Sequence, residues 1–118
     1  MNQALLLDYH NELCTKALDL MEKKNNDYGG NDTPFRNFEV APQLGIASVP
    51  QGMLIRMADK LSRLTNFTVN SKDIKVTDES FEDTILDLIN YAVLLAAWRK
   101  MDTEIQELTI NDLPKQKL

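Results

Sequence analysis

Arg56, Lys60 and Arg63 recur at intervals of four and three residues, and Glu79, Asp83 and Asp87 recur at intervals of four. Residues so spaced share one face of a helix, so the chain carries a cationic helical face followed by an anionic one. If residues 69 to 77 close an antiparallel hairpin between them, Arg56 faces Asp87, Lys60 faces Asp83 and Arg63 faces Glu79. Each pair of numbers then sums to about 143, as one constant register demands. Such a layer has two readings. A row of partly exposed ion pairs that only fixes helix register contributes roughly 0 to 1 kcal/mol per pair. A polar pocket would instead use Glu79, Asp83 and Asp87, with Asp59 across the seam, as hard oxygen ligands for Mg²⁺ or as acceptors for a ribose. Its cationic side chains would hold phosphate.

A second chemically busy stretch begins at Lys24 and runs through Asn25-Asn26-Asp27-Tyr28-Gly29-Gly30-Asn31-Asp32. Lys24 supplies a cation, Asp27 an acceptor and Tyr28 a ring, and the two glycines let backbone N–H groups approach a ligand closely. The pattern is neither a Walker loop nor a dinucleotide fingerprint, and a plain helix-terminating turn also accounts for its composition. Asn37 and Phe38 follow closely enough to join the same pocket, although Phe35 and Phe38 equally suit a core. The single histidine, His10, has no acidic or nucleophilic partner at helical spacing, and neither Ser62 nor Ser80 has a histidine to activate it. Cys14 reads as a small packed hydrophobe, and Tyr91 and Trp98 as core or interface packing.

The elements that must position these residues are helical. Residues 2 to 24 place Leu5, Leu6, Tyr9, Leu13, Ala17, Leu20 and Met21 at intervals of three and four without Gly or Pro, which predicts an amphipathic helix. A short helix carrying Phe35, Phe38 and Val40 follows, with Asp32 or Thr33 as its cap, Pro34 in its first turn and Pro42 and Gly45 at its end. Ser48 and Pro50 open a helix from about 49 to 68 whose expected core face is Leu54, Met57, Leu61 and Leu64, and residues 70 to 73 break it. A last long helix is expected from about Asp78 to Met101, its start favoured by Glu79, Glu82 and Asp83 and its apolar face built on Phe81, Ile85, Leu88, Ala92, Leu95 and Ala96. Ile89 and Val93 widen that face beyond what one partner helix covers, which points to self-association. Residues 103 to 118, with Pro114, read as a tail to a single domain over 1 to 102.

The chain has 118 residues, 43% of them hydrophobic, which is one domain's worth of core. A net charge of −5 repels a phosphate backbone, so nucleic-acid binding is not expected, whereas a local basic pocket for one small nucleotide is compatible with it. One cysteine excludes an internal disulfide framework or thiolate cluster and suits a reducing cytoplasm. The longest apolar run, Tyr91 to Trp98, is far short of the roughly 20 residues a membrane helix needs, so no membrane association is expected.

Three ordered motifs together resemble a known family. They are Lys24-Asn-Asn-Asp27-Tyr28-Gly29, then Asp59-Lys60-x-x-Arg63-Leu64, then Asp78-Glu79-Ser80-x-x-Asp83-Thr84-x-x-Asp87-Leu88-x-x-Tyr91-Ala92. The family is the first type of nucleotide-modification-associated domain, found in bacteriophages and prophages, and the likeness spans roughly residues 10 to 97. The last helix is also similar to that of the MazG and dimeric dUTPase group of all-α nucleoside triphosphate pyrophosphohydrolases. There an acidic helix holds Mg²⁺ and a second carboxylate pair comes from the preceding helix, where this chain has Asp59 alone.

These resemblances imply an all-α, MazG-like antiparallel bundle of three long helices and a short one, oligomeric and cytoplasmic in a phage-infected or prophage-carrying cell. They imply a nucleotide ligand held by Lys24, Asp27, Tyr28, Asn37, Arg56, Lys60 and Arg63. If the protein is an enzyme, Glu79, Asp83 and Asp87 would hold the catalytic Mg²⁺, with Asp59 as a further ligand, for cleavage of a (deoxy)nucleoside triphosphate to monophosphate and pyrophosphate by water. The alternative is a non-catalytic viral sponge that sequesters a cyclic or signalling nucleotide of host immunity, which needs cationic and stacking groups but no metal.

Overall fold

The computed structural model describes the backbone of residues 1–27, 33–69 and 78–112 and the side chains of 1–25, 33–67 and 80–111, and among these residues every regular element is helical, with no strand. The elements are α1 (Gln3–Asp27), a 3₁₀ turn (Arg36–Phe38), α2 (Val40–Gln43), α3 (Val49–Val69) and α4 (Asp78–Asp112). No described helix is long and apolar enough to cross a membrane. The expected cap at Asp32, the break at 70–73 and the residues after Asp112 lie outside the described residues, as do Tyr28 and the side chains of Asp27 and Glu79.

Local chemistry sets most of the helix ends. The Asn2 side-chain carbonyl accepts the Leu5 N–H at 2.9 Å and starts α1. At α3 the Gln51 N–H donates to Ser48 Oγ at 3.2 Å while the Ser48 N–H donates to Gln51 Oε1 at 2.9 Å, a reciprocal capping box around the Pro50 of the first turn. The end of α2 is a Schellman turn. Ile46 N–H reaches the Ala41 carbonyl at 2.9 Å and Gly45 N–H reaches that of Pro42 at 3.1 Å, and Gly45 takes the φ of 71° that the motif requires.

α4 departs from expectation by running on to Asp112 instead of stopping near Met101. No Gly or Pro interrupts the sequence until Pro114, so nothing ends the helix earlier. Residues 103–112 are therefore a continuation of α4, not a separate tail.

α4 is the central element: α3 packs along one side and α1 along another, and among the described residues α1 and α3 do not meet. α3 runs antiparallel to α4, with Phe67 edge-on to Phe81 (centroids 5.4 Å apart) near one end and Val49 and Met53 beside Leu95 and Trp98 near the other. α1 runs in the same direction as α4, Lys16 reaching Glu82 while Met21 and Asn25 lie beside Asn90 and Leu94.

The core is small and sits where the α1–α3 connection folds over the seam. Phe35, Phe38, Val49 and Met53 are buried there, with Tyr91, Leu94, Leu95, Trp98 and Met101 packed against them. Two edge-to-face contacts, Phe35 on Trp98 at 5.2 Å and Phe38 on Tyr91 at 6.2 Å, orient this cluster and bear out a packing role for both α4 aromatics. Met53 is the one fully buried large side chain among the described residues, so Met53→Ala should cost about 2 to 5 kcal/mol, read as a lower denaturant midpoint at unchanged slope.

Several expected core residues lie elsewhere. Leu54 and Leu61 are 52% and 56% exposed, because the inner stripe of α3 is Val49, Met53, Met57, Lys60 and Leu64, and these two leucines sit on a second, outward apolar face. On α4, Phe81, Ala92 and Ala96 are exposed while Thr84 and Leu86 are buried. Leu5, Leu6 and Tyr9 of α1 are exposed, and Cys14 is exposed rather than packed; its Sγ, 3.8 Å from His10 Nδ1, gives His10 a thiol neighbour one helical turn on, contrary to the expectation that His10 has none.

Candidate functional site

The charged layer exists, but one helical turn out of the expected register. Lys60 Nζ meets Asp87 Oδ2 at 2.9 Å, not Asp83, so Lys60 with Asp87 and Phe67 with Phe81 give sums of 147 and 148 in place of 143. The physical reason is the relative strength of the contacts. An edge-to-face aromatic pair contributes about 0.5 to 1.5 kcal/mol beyond its buried area, each large apolar side chain buried on α4 adds roughly 1.5 to 3, and an exposed ion pair offers at most about 1. Aromatic and apolar packing therefore chooses the register and the charges accept the partners it leaves them. Of the other two expected pairs, Arg56 makes no ion pair with Asp87, although both face one cavity, and Arg63 with Glu79 falls on a side chain outside the described residues.

Asp87 is the hub. Besides Lys60, its other oxygen accepts from Lys24 Nζ at 3.4 Å, which ties α1, α3 and α4 together at one carboxylate. The Lys60 and Asp87 side chains keep only 16% and 21% of their surface exposed. Burial pushes the Asp87 carboxyl up, but the Lys60 hydrogen bond and the charges of Lys24 and Lys60 outweigh it and hold the group below its ordinary value of 3.8. A carboxylate with a depressed folded-state pKa contributes stability that is complete above its unfolded pKa and is lost as pH falls through the folded value. Denaturation midpoints of the wild type should therefore drop as pH falls below 3.8, with a shallower drop in Asp87→Asn.

Around this hub lies a cavity of about 390 Å³. Lys24, Arg56 and Asp87 supply its charges, and Asn25, Asn37 and Asn90 its amides. Phe38 and Tyr91 form an aromatic wall, completed by Met21, Pro34 and Leu94. Arg56 is exposed and has no ion-pair partner among the described residues, so its guanidinium is available to an anion. The Asn90 amide is already committed, donating to the Ala17 carbonyl at 3.0 Å and pinning α1 to α4. A second, more open cavity of about 360 Å³ lies across Asp87, lined by Arg63, Asn66, Phe67, Ser80, Asp83 and Thr84.

Of the residues expected at a site, Lys24, Asn37 and Arg56 come together with Asp87 in the first cavity, and Arg63 and Asp83 in the second. Lys60 bridges to Asp87 between them. Asp59 is exposed on α3 and lines neither cavity. Among the described residues no group of three or more His, Cys, Asp or Glu side chains is gathered as a metal site requires. The aliphatic wall of Met21, Pro34 and Leu94 was not anticipated from sequence. Asn90 was also missed, and its signal was a polar residue standing between apolar neighbours on α4. Comparison of the chain with protein-family models, with curated proteins and with solved structures finds no match.

Proposed function

We propose that this protein binds a small nucleotide in the cavity between α1, α3 and α4, as a bacteriophage-type cytoplasmic protein of nucleotide metabolism or host defence. The observation that carries the reading is Arg56, without an ion-pair partner among the described residues, opening onto the same cavity as the Phe38 and Tyr91 rings. A guanidinium takes phosphate oxygens in bidentate fashion, a ring wall takes a base, and the Asn25 and Asn37 amides offer donors and acceptors for a base edge or a sugar hydroxyl. The volume falls within the range of small-molecule sites. The resemblance of the three motifs to the nucleotide-modification-associated domain supports the same class of ligand.

With both Asp87 oxygens on lysine ammonium groups, the geometry favours holding the nucleotide by direct ionic and stacking contacts, as a sequestering protein does. A second reading, Mg²⁺-dependent pyrophosphohydrolysis, is supported by Asp83 and Asp87 lining one cavity with Arg63. It requires Asp87 to leave its lysines and join Asp83 and Glu79 around the ion, which would supply charge neutralisation and an activated water. Calorimetric titration with a panel of mono-, tri- and cyclic nucleotides, with Mg²⁺ or with a chelator, tests both. Binding that persists in chelator without product supports the first reading and product only with Mg²⁺ the second. Absence of any nucleotide-induced heat or stabilisation at millimolar ligand would overturn both.

A further inference from the structure

The two cavities meet at one carboxylate. Asp87 lines both, Tyr91 lies four residues beyond it and Asp83 four before it, so the two spaces open about 6 Å to either side of Asp87 along α4. Their linings repeat each other in kind. The first offers Arg56, Asn37 and the Phe38 and Tyr91 rings, and the second offers Arg63, Asn66 and the Phe67 ring. Arg56, Lys60 and Arg63 stand on one stripe of α3, so a cation serves each cavity and a third marks the bridge between them, over about 10 Å. Arg63, like Arg56, is exposed and makes no ion pair among the described residues.

We infer that the two cavities are the halves of one site for a cyclic dinucleotide, two nucleosides closed into a ring by two phosphodiesters, with one base in each cavity and the phosphates along the Arg56, Lys60 and Arg63 row. The inference rests on the nucleotide-binding reading of the first cavity and extends it to the second. A single nucleoside on the Phe38 and Tyr91 wall leaves Phe67 out of reach, because Phe67 stands eleven residues from Arg56, about 16 Å along α3 and farther than one nucleoside extends. Charge points the same way. Lys24, Arg56, Lys60 and Arg63 against Asp83 and Asp87 leave a net of +2 around the joined site, and two phosphodiesters with one negative charge each balance it. A triphosphate brings more negative charge than that and needs a metal to make up the difference. Lys24 and Lys60 serve the phosphates while still paired, because an ammonium has three donors and each gives one to Asp87. The cavities, about 390 and 360 Å³, each have the volume of a small-molecule site, and ring walls accept any base because every base has a π-face.

The test is calorimetric titration of the full chain, in chelator, with the 3′,3′-cyclic dinucleotides of adenosine, of guanosine and of one of each, beside AMP and GMP. At least one cyclic dinucleotide should bind about ten- to a hundredfold more tightly than either mononucleotide, the contribution of a second base held at high effective concentration by the first. Arg63→Met and Asn66→Ala, both at exposed positions, should each shrink that ratio, the first about tenfold, whereas Arg56→Met should weaken cyclic dinucleotide and mononucleotide together. Mononucleotides that bind as tightly as every cyclic dinucleotide overturn the two-cavity site and leave the one-cavity reading standing. So does a cyclic dinucleotide whose advantage survives both Arg63→Met and Asn66→Ala. No heat from any cyclic dinucleotide at millimolar ligand also overturns the inference, and the mononucleotide titrations then decide whether the reading of the first cavity falls with it.

Discussion

Arg56→Met is expected to lower nucleotide affinity roughly ten- to a hundredfold, the equivalent of about 1.5 to 3 kcal/mol for a charge-assisted hydrogen bond, and to leave the fold as stable as wild type. The guanidinium is exposed and makes no ion pair among the described residues, so its removal breaks none of the ion pairs that tie the described helices together. Lys60→Met should behave in the opposite way. It leaves a half-buried Asp87 with Lys24 alone at 3.4 Å, and the orphaned carboxylate should cost about 1 to 3 kcal/mol of stability. Titration calorimetry and chemical denaturation on both variants read the two effects separately. Equal affinity in Arg56→Met and wild type would place the ligand outside the first cavity.

That contrast was hidden in the sequence because a helix offers the same face again one turn later. Arg56, Lys60 and Arg63 were legible as one stripe and Asp83 and Asp87 as another, since spacing alone decides that. Which cation meets which acid depends on how far one helix slides along the other, and a slide of four residues keeps every charge facing the seam. Phe67 against Phe81 and the Phe38–Tyr91 contact decide the slide, and they are long-range contacts that no local pattern encodes. Caps and breakers act within a few residues, so the Ser48 start of α3 and the Gly45 end of α2 were readable in advance. The inner face of α3 was not. It has two apolar faces, and only the arrangement of α4 and the 3₁₀ turn selects Met53 over Leu54 for burial. The persistence of α4 to Asp112 follows from the absence of any breaker before Pro114, a signal that the composition of the last segment obscured.

Asp87→Asn should separate the two functional readings by the sign of its effect. In a sequestering protein the substitution releases the Lys24 and Lys60 ammonium groups from their shared carboxylate, and Lys24 already lines the cavity. The loss of one anion, with Lys24 freed beside Arg56, should then raise affinity for a nucleotide about tenfold, with steeper salt dependence, while the fold loses the stability of the two ion pairs. In a Mg²⁺-dependent hydrolase the same carboxylate is a metal ligand, and Asp87→Asn, like Asp83→Asn, should reduce turnover by several orders of magnitude even where the nucleotide still binds. Paired measurements of affinity in chelator and of product formed with Mg²⁺ distinguish these outcomes. Tighter binding without product supports the sponge-like reading and abolished turnover the hydrolytic one. An Asp87→Asn protein that folds, binds and turns over as wild type does would show that the α1–α3–α4 hub serves the architecture alone.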